Sequence, residues 1–223
     1  MTLESDNKVN LFDGETLSGW KSRIENKDHD WSIVESVTLD AQDPKAFSVV
    51  AGTGVFYNGP SGRTSDLFTD YKHGDCLVHV EFVVPQGSNS GVYLMARYEV
   101  QILDSWGATD LRFGTCGGIY ARWIGEKHVG GNPPRTNASR PPGQWQEYDI
   151  TFRAPRFNSS GNKVSNALFE KVVWNGQVVQ ENVEVDGPTR AAMLEDEAPL
   201  GSLMLQGDHG PVAYRNVRLS PAE

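Results

Sequence analysis

Apolar and polar side chains alternate with a period of two along most of this sequence, and almost no stretch shows the 3.6-residue spacing of a helix. Cys76 to Val84 reads CLVHVEFVV, which sets Cys76, Val78, Val80, Phe82 and Val84 on one side and His79 and Glu81 on the other. From Ser90 to Leu103, Val92, Leu94 and Ala96 oppose Tyr93, Met95 and Arg97; Tyr98, Val100 and Ile102 then oppose Glu99 and Gln101. Trp145 to Phe152 alternates again. Phe169 to Glu181 carries Asn175-Gly176 between two such runs, a hairpin signal because a type I′ turn needs positive φ at both central residues. Gly201 to Gln206 and Val212 to Leu219 read as two more strands, with Gly207-Asp208-His209-Gly210 expected as a tight hairpin turn between them. Only Thr189 to Asp196 (TRAAMLED) has helix-forming composition, over about two turns.

Strands of this kind bury their apolar faces by stacking sheets, so the expected architecture is all-β, a sandwich of two antiparallel sheets. No internal repeat suggests a propeller or solenoid. Gly130 to Gly143 (GGNPPRTNASRPPG) reads as a surface loop inside one domain, because the strand pattern resumes at Trp145 without a change in composition. A single domain over residues 1–223, with its core at about 9–219, is the expectation. The 29 acidic residues exceed the 20 Lys and Arg, for a formal charge of −9, and no basic run occurs. Nucleic acids and anionic membranes, which select clustered cations, are thereby excluded as partners. No apolar stretch approaches the ~20 residues that span a bilayer. Met1 to Asn10 is polar and lacks the apolar segment of a secretory leader. The two cysteines, Cys76 and Cys116, have no metal-ligand spacing; a disulfide between them is permitted but not demanded.

The densest polar face carries Arg97, Glu99 and Gln101 at i, i+2 and i+4, and Asn89, Gly91 and Tyr93 share their parity. Alternation alone fits an ordinary solvated face. However, amide, carboxylate, guanidinium and phenol together are the groups that bind sugar hydroxyls, and Asp104, Ser105 and Trp106 follow where the strand should end. The Gln206 to Gly210 turn offers His209 as a base tuned by Asp208, against the plainer reading of a simple Asp/Gly turn. His29, His73 and His128 sit in loop-like sequence and are expected to be solvated, and His79 beside Glu81 is expected to be structural. Trp106, Tyr120, Trp123 and Trp145 lie in or beside glycine-rich loops, where they either stack on sugar rings or plug the ends of the sandwich. Asn137-Ala138-Ser139 and Asn158-Ser159-Ser160 match the glycosylation sequon, which matters only in a eukaryotic secretory host. No phosphate loop, Gly-x-Ser-x-Gly elbow or His-Glu-x-x-His motif occurs.

Several blocks, in order from Val9 to Leu219, resemble the 3-keto-disaccharide hydrolase family: Leu11-Phe12-Asp13-Gly14, Leu17-Ser18-Gly19-Trp20, Ser88-Asn89-Ser90-Gly91-Val92-Tyr93-Leu94 and Tyr98 to Ser105 (YEVQILDS). Gly117-Gly118-Ile119-Tyr120, Pro142-Gly143-Gln144-Trp145, Asn175-Gly176 and Leu205 to Gly210 through Arg215-Asn216-Val217 continue the match. The resemblance implies a concanavalin-like jelly roll, a bacterial source and carbohydrate as the partner. It also implies a periplasmic or secreted location if a leader has been removed, and a cytoplasmic one otherwise. The implied activity is cleavage of 3-keto-glycosides by elimination and hydration. Carried onto this sequence, it makes Glu99 the first choice as acid–base residue, with His209 the alternative, and gives Asp104 a catalytic orienting role. Arg97 and Gln101 would hold an enolate or hydroxyls. Asn89, Tyr93, Tyr120 and Gln206, with Trp106 and Asp208, would contact substrate. A divalent metal as electrophile stays open, since oxygen ligands cluster without a diagnostic spacing.

Two other classes use the same residues. A sugar-binding module needs the aromatics but no buried acid and base. A two-carboxylate glycosidase needs paired acids, and Glu99 and Asp104 have opposite parity in one strand, so they pair only if the strand breaks near Leu103. The 3-keto-glycoside reading, which needs an acid and a base, predicts that Glu99 and His209, 110 positions apart, share one pocket.

Overall fold

The structure, a computed structural model, describes residues 8–25 and 29–222; residues 1–7 of the polar N-terminal stretch lie outside it. In chain order the strands are β1 (Val9–Asn10), β2 (Trp20–Ser22), β3 (Ser32–Leu39), β4 (Phe47–Tyr57), β5 (Leu67–His73) and β6 (Cys76–Val83). Then follow β7 (Asn89–Leu94), β8 (Tyr98–Leu103), β9 (Arg122–Ile124), β10 (Lys127–Val129) and β11 (Gln146–Arg153). The last are β12 (Arg156–Phe157), β13 (Lys163–Ser165), β14 (Ala167–Trp174), β15 (Gln177–Val185), β16 (Gly201–Leu205) and β17 (Ala213–Pro221). One sheet has eight strands, in the order β15-β14-β11-β6-β17-β4-β3 with β1 against β17. The other has five, in the order β2-β5-β16-β7-β8, and two small hairpins (β9–β10 and β12–β13) stand apart. All pairings are antiparallel. The chain is an all-β, concanavalin-like jelly-roll sandwich, with no helix among the described residues.

Alternation accounts for the packing. Val80 and Phe82 of β6 and Tyr148 of β11 share one buried cluster with Val92 and Leu205 of the facing sheet, while His79 and Glu81 turn outward. His79 Nδ1 there donates to the Asp149 carboxylate at 2.7 Å, a structural pairing. Asn175 and Gly176 take φ of 49° and 80° and join β14 to β15 as a I′ turn requires.

Four expectations need correction. Ser90 to Leu103 is a hairpin rather than one continuous run, turning at Met95 and Ala96 with φ of 56° and 55°. Neither residue favours that conformation; distant groups hold it. Met95 N–H donates to His73 Nε2 at 3.1 Å, and the Ala96 carbonyl accepts from Met193 N–H at 3.0 Å. His73 is correspondingly buried rather than solvated, and burial pushes its pKa down to about 4. Thr189 to Asp196 forms turns instead of a helix. Its amides bond outward, Thr189 N–H to Arg97 O, Arg190 N–H to Ala121 O (both 2.8 Å) and Met193 N–H to Ala96 O, and Ala191 sits at φ 63°.

The fourth correction concerns Gly207 to Gly210, which does not close a hairpin. β16 lies in the five-stranded sheet and β17 in the eight-stranded one, so this segment crosses between sheets at the end of the sandwich. Fully buried Asn58 ties the crossing down. Its Nδ2 donates to Gly207 O (3.1 Å) and Gly210 O (2.8 Å), and its Oδ1 accepts from Val212 N–H (2.8 Å). Cys76 and Cys116 are buried free thiols.

Candidate active site

A cavity of about 320 Å³ opens on the five-stranded sheet. The hairpin β7–β8 supplies Asn89, Tyr93, Glu99 and Gln101. Antiparallel partners project to the same side, and the register sets Tyr93 opposite Glu99 and Gly91 opposite Gln101. The sheet crossing supplies Gln206 and His209, and a neighbouring loop supplies Tyr120. Tyr120 N–H donates to Glu99 O at 3.1 Å, which seats the phenol beside the carboxyl.

Glu99 is only 3% exposed. Gly91 makes room for it: a Cβ at that position would lie 2.3 Å from Glu99 Oε1. Burial drives the Glu99 pKa from 4.5 up to about 8; a hydrogen bond from Tyr93 opposes the rise, and the charges of Asp66 and Asp208 add to it. The Tyr93 phenol is pushed well up by burial and by the Glu99 charge. Such a carboxyl holds its proton at neutral pH and is a strong base once it loses it.

Two amide oxygens lie beside this carboxyl without partners. Gln101 Nε2 donates to Gly114 O at 3.3 Å, and Gln206 Nε2 lies 3.1 Å from His209 Nδ1, yet Oε1 of each is buried with no hydrogen bond among the described residues. A buried acceptor left alone costs about 1–3 kcal/mol, so both sites call for a ligand donor. His209 faces the same cavity, its Nδ1 held by the Asp208 carboxylate. That bond raises the His209 pKa against the opposing effect of burial. Burial pushes Asp208 up, but the His209 hydrogen bond and charge outweigh it and hold the carboxyl below its ordinary value.

The cation at this cavity is Arg190, with Ala191 beside it, rather than Arg97. Arg97 is 2% exposed, and its guanidinium is spent on Met95 O (2.9 Å) and on the backbone and carboxylate of Asp196. It anchors the loop that carries Arg190. Asp104 lies past the end of β8, where its carboxylate accepts from Gly87 N–H (2.9 Å) and Trp106 N–H (3.3 Å), outside the cavity. Trp106 is 58% exposed and also outside, and Asp208 touches the cavity only through His209. Trp145 packs under Arg215, 4.1 Å from ring centroid to guanidinium, and Trp123 lines a neighbouring cavity.

Sequence reasoning does not reveal Arg190 or the half-buried ion pair of Arg23 and Asp66. Asp66 accepts from Gly207 N–H (2.9 Å) and pairs with Arg23 (3.0 Å). Arg23 reaches on to the carbonyls of Ala191 (2.9 Å) and Ala192 (3.0 Å), so one ion pair ties the sheet crossing to the Arg190 loop. No motif marks these residues, because their partners come from four distant segments. Among the described residues, Glu99 is the one carboxyl lining the cavity. No group of three His, Cys, Asp or Glu side chains converges among those residues.

Residues 7–220 match the 3-keto-alpha-glucoside-1,2-lyase-like domain family. Among solved structures, the chain is similar to a candidate glycosyl hydrolase from Parabacteroides distasonis ATCC 8503. The two share 27% identity with a TM-score of 0.69, over 97% of this chain and 84% of that one. A second candidate glycosyl hydrolase from that organism aligns at 14% identity with a TM-score of 0.61, over 97% and 95% of the two chains. A third aligns at 18% identity with a TM-score of 0.54, over 91% and 99%. For the latter two the likeness concerns the fold. No curated protein matches the sequence.

Proposed function

This chain belongs to the 3-keto-alpha-glucoside-1,2-lyase-like domain family, and we propose that it cleaves 3-keto-glycosides at C1 by elimination followed by hydration. The observation that carries this reading is the buried Glu99 carboxyl flanked by the unpartnered amide oxygens of Gln101 and Gln206. Sugar hydroxyls are donors of the kind those oxygens lack. A carboxyl with a pKa of about 8 is matched to removing a proton from a weak carbon acid near neutral pH.

A ketone at C3 acidifies the proton on C2. Ionised Glu99 takes that proton, and the electron pair forms the enolate. The enolate then expels the glycosidic oxygen from C1, leaving a double bond between C1 and C2. Protonated His209, held by Asp208, gives its proton to the departing oxygen. Water adds at C1, the C2 proton returns from Glu99, and His209 regains its own proton from the added water. The sum is one glycosidic bond broken and one water consumed. Asn89 and Tyr120 supply neutral donors for the enolate, while the Gln101 and Gln206 oxygens accept from ring hydroxyls. A binding module alone would have no use for a desolvated carboxyl.

The test is to offer a 3-keto-glycoside and its unoxidised parent in deuterated water. Cleavage of the keto compound alone, with deuterium at C2 of the product, is the expected result. Glu99→Gln keeps the shape but removes the titrating group, and should slow turnover roughly 10²–10⁴-fold. Cleavage of the unoxidised parent without exchange would sink the proposal, and near-normal turnover by Glu99→Gln would move the acid–base role to His209.

A further inference from the structure

A second cavity, of about 480 Å³, adjoins the first and shares Arg190 and Ala191 with it. Its wall includes Trp123 and Ile124 on β9, which remain 46% and 45% exposed, together with Pro188. Large apolar side chains left open beside a polar cavity mark a place where something apolar rests. Trp123 is held there: the Arg190 guanidinium lies 4.2 Å from its ring centroid, and the His128 ring meets it edge-on at 4.9 Å.

The two cavities differ in what they lack. The first has two buried acceptors without partners. In the second, most polar side chains are already engaged, and the exposed Glu195 carboxylate is the one acid on its wall among the described residues. Arg23 pairs with Asp66 at 3.0 Å and Arg122 with Asp186 at 2.8 Å, while Thr189 Oγ1 accepts from Glu99 N–H and donates to Arg97 O. A second sugar ring, with its own hydroxyls to satisfy, would find Glu195 as the one unengaged carboxylate there. A flat, weakly polar ring would meet an indole and find cations at its edge. Arg190 stands between the two spaces and takes part in no ion pair among the described residues.

We propose that the second cavity is the aglycone subsite of the same reaction, built for a planar aromatic aglycone that stacks on Trp123, with the scissile bond lying at Arg190. The inference rests on the reading of the first cavity as a keto-sugar site and goes beyond it by naming the class of leaving group.

The experiment compares two 3-keto-glucosides, one with a phenyl and one with a methyl aglycone, on the unaltered protein, Trp123→Ala and Trp123→Phe. The phenyl compound leaves more readily on any enzyme, so the quantity that matters is the change in the phenyl-to-methyl ratio of kcat/KM between variants. Trp123→Ala should lower that ratio by roughly tenfold, and Trp123→Phe should restore most of it. Thermal unfolding of each variant separates misfolding from lost recognition, because misfolding lowers both rates together. An unchanged ratio in Trp123→Ala, with both glucosides still cleaved by the unaltered protein, overturns the subsite and leaves the keto-sugar reading standing. If the unaltered protein cleaves neither glucoside, both proposals fall.

Discussion

Replacing Glu99 by Gln should make the protein more stable at alkaline pH while it removes activity. In the native state Glu99 is buried, and its pKa is about 8 in place of the ordinary 4.5. Between those two values the folded chain holds a proton that the unfolded chain has released. Stability therefore falls as pH rises, with its full contribution present below 4.5 and lost by the time pH passes 8. A rise of that size corresponds to roughly 4–5 kcal/mol, and between pH 5 and pH 9 about 4 kcal/mol of it would be expressed. A Gln at this position carries no proton to lose. The assay is urea unfolding of both proteins at pH 5 and at pH 9, reading the difference between the two differences. Every other titrating group is common to both chains and cancels. If the two stability curves run parallel across this range to within about 1 kcal/mol, Glu99 is not desolvated as described, and its matching to carbon-acid chemistry fails with it.

The same ionisation should appear in kinetics: kcat/KM for a keto-glycoside should climb with pH until about 8, and a rate already level at pH 6 would contradict Glu99 as the base. Gly91→Ala would put a methyl 2.3 Å from Glu99 Oε1 and shift the carboxyl, so kcat/KM should drop about 100-fold; a normal rate would show that the carboxyl's placement is not critical. His73, neutral and buried with its pKa pushed down to about 4, contributes stability that is present above 6.5 and lost as pH falls toward 4. His73→Gln should therefore lose less stability than the parent between pH 7 and pH 4.5 in urea unfolding, by roughly 2–3 kcal/mol, and an equal loss would refute the assignment.

The sequence declares its strands and the face each side chain takes, because a period of two is a local property. β6 and the Asn175-Gly176 hairpin are legible for that reason. The period sets Tyr93, Glu99 and Gln101 on one face even though it does not reveal the turn between them. The hairpin pairs residues of like parity, Tyr93 with Glu99 and Gly91 with Gln101, so folding the run back on itself kept the face intact. The turn itself was illegible because Met95 and Ala96 hold positive φ through His73 and Met193, far away in sequence. Arg97 fits the period, but the period does not reveal that Asp196 covers it. Arg190 belongs to a loop shaped by the carbonyls of Arg97, Ala121 and Ala96, and composition there suggested a helix. The crossing at Gly207 to Gly210 looks like a hairpin turn locally, and only the placement of β16 and β17 in separate sheets tells otherwise.

That crossing explains how one cavity can hold two proton carriers of opposite character. Glu99 belongs to the floor of a sheet, where neighbours on every side exclude water, and the loss of water raises its pKa. His209 belongs to a segment passing between sheets, half exposed, and the Asp208 carboxylate beside it raises its pKa instead. On the proposed reading these two causes respond differently to substrate. A sugar that fills the cavity displaces the remaining water, which strengthens Glu99 as a base once it is ionised. The hydrogen bond from His209 to Asp208 stays outside the filled space, so the imidazole keeps its proton for the leaving oxygen. A site built entirely from one sheet face would have desolvated both groups and driven the imidazole toward its neutral form, as burial does to His73. Placing Glu99 on a strand and His209 on a crossing separates the two environments within about 320 Å³.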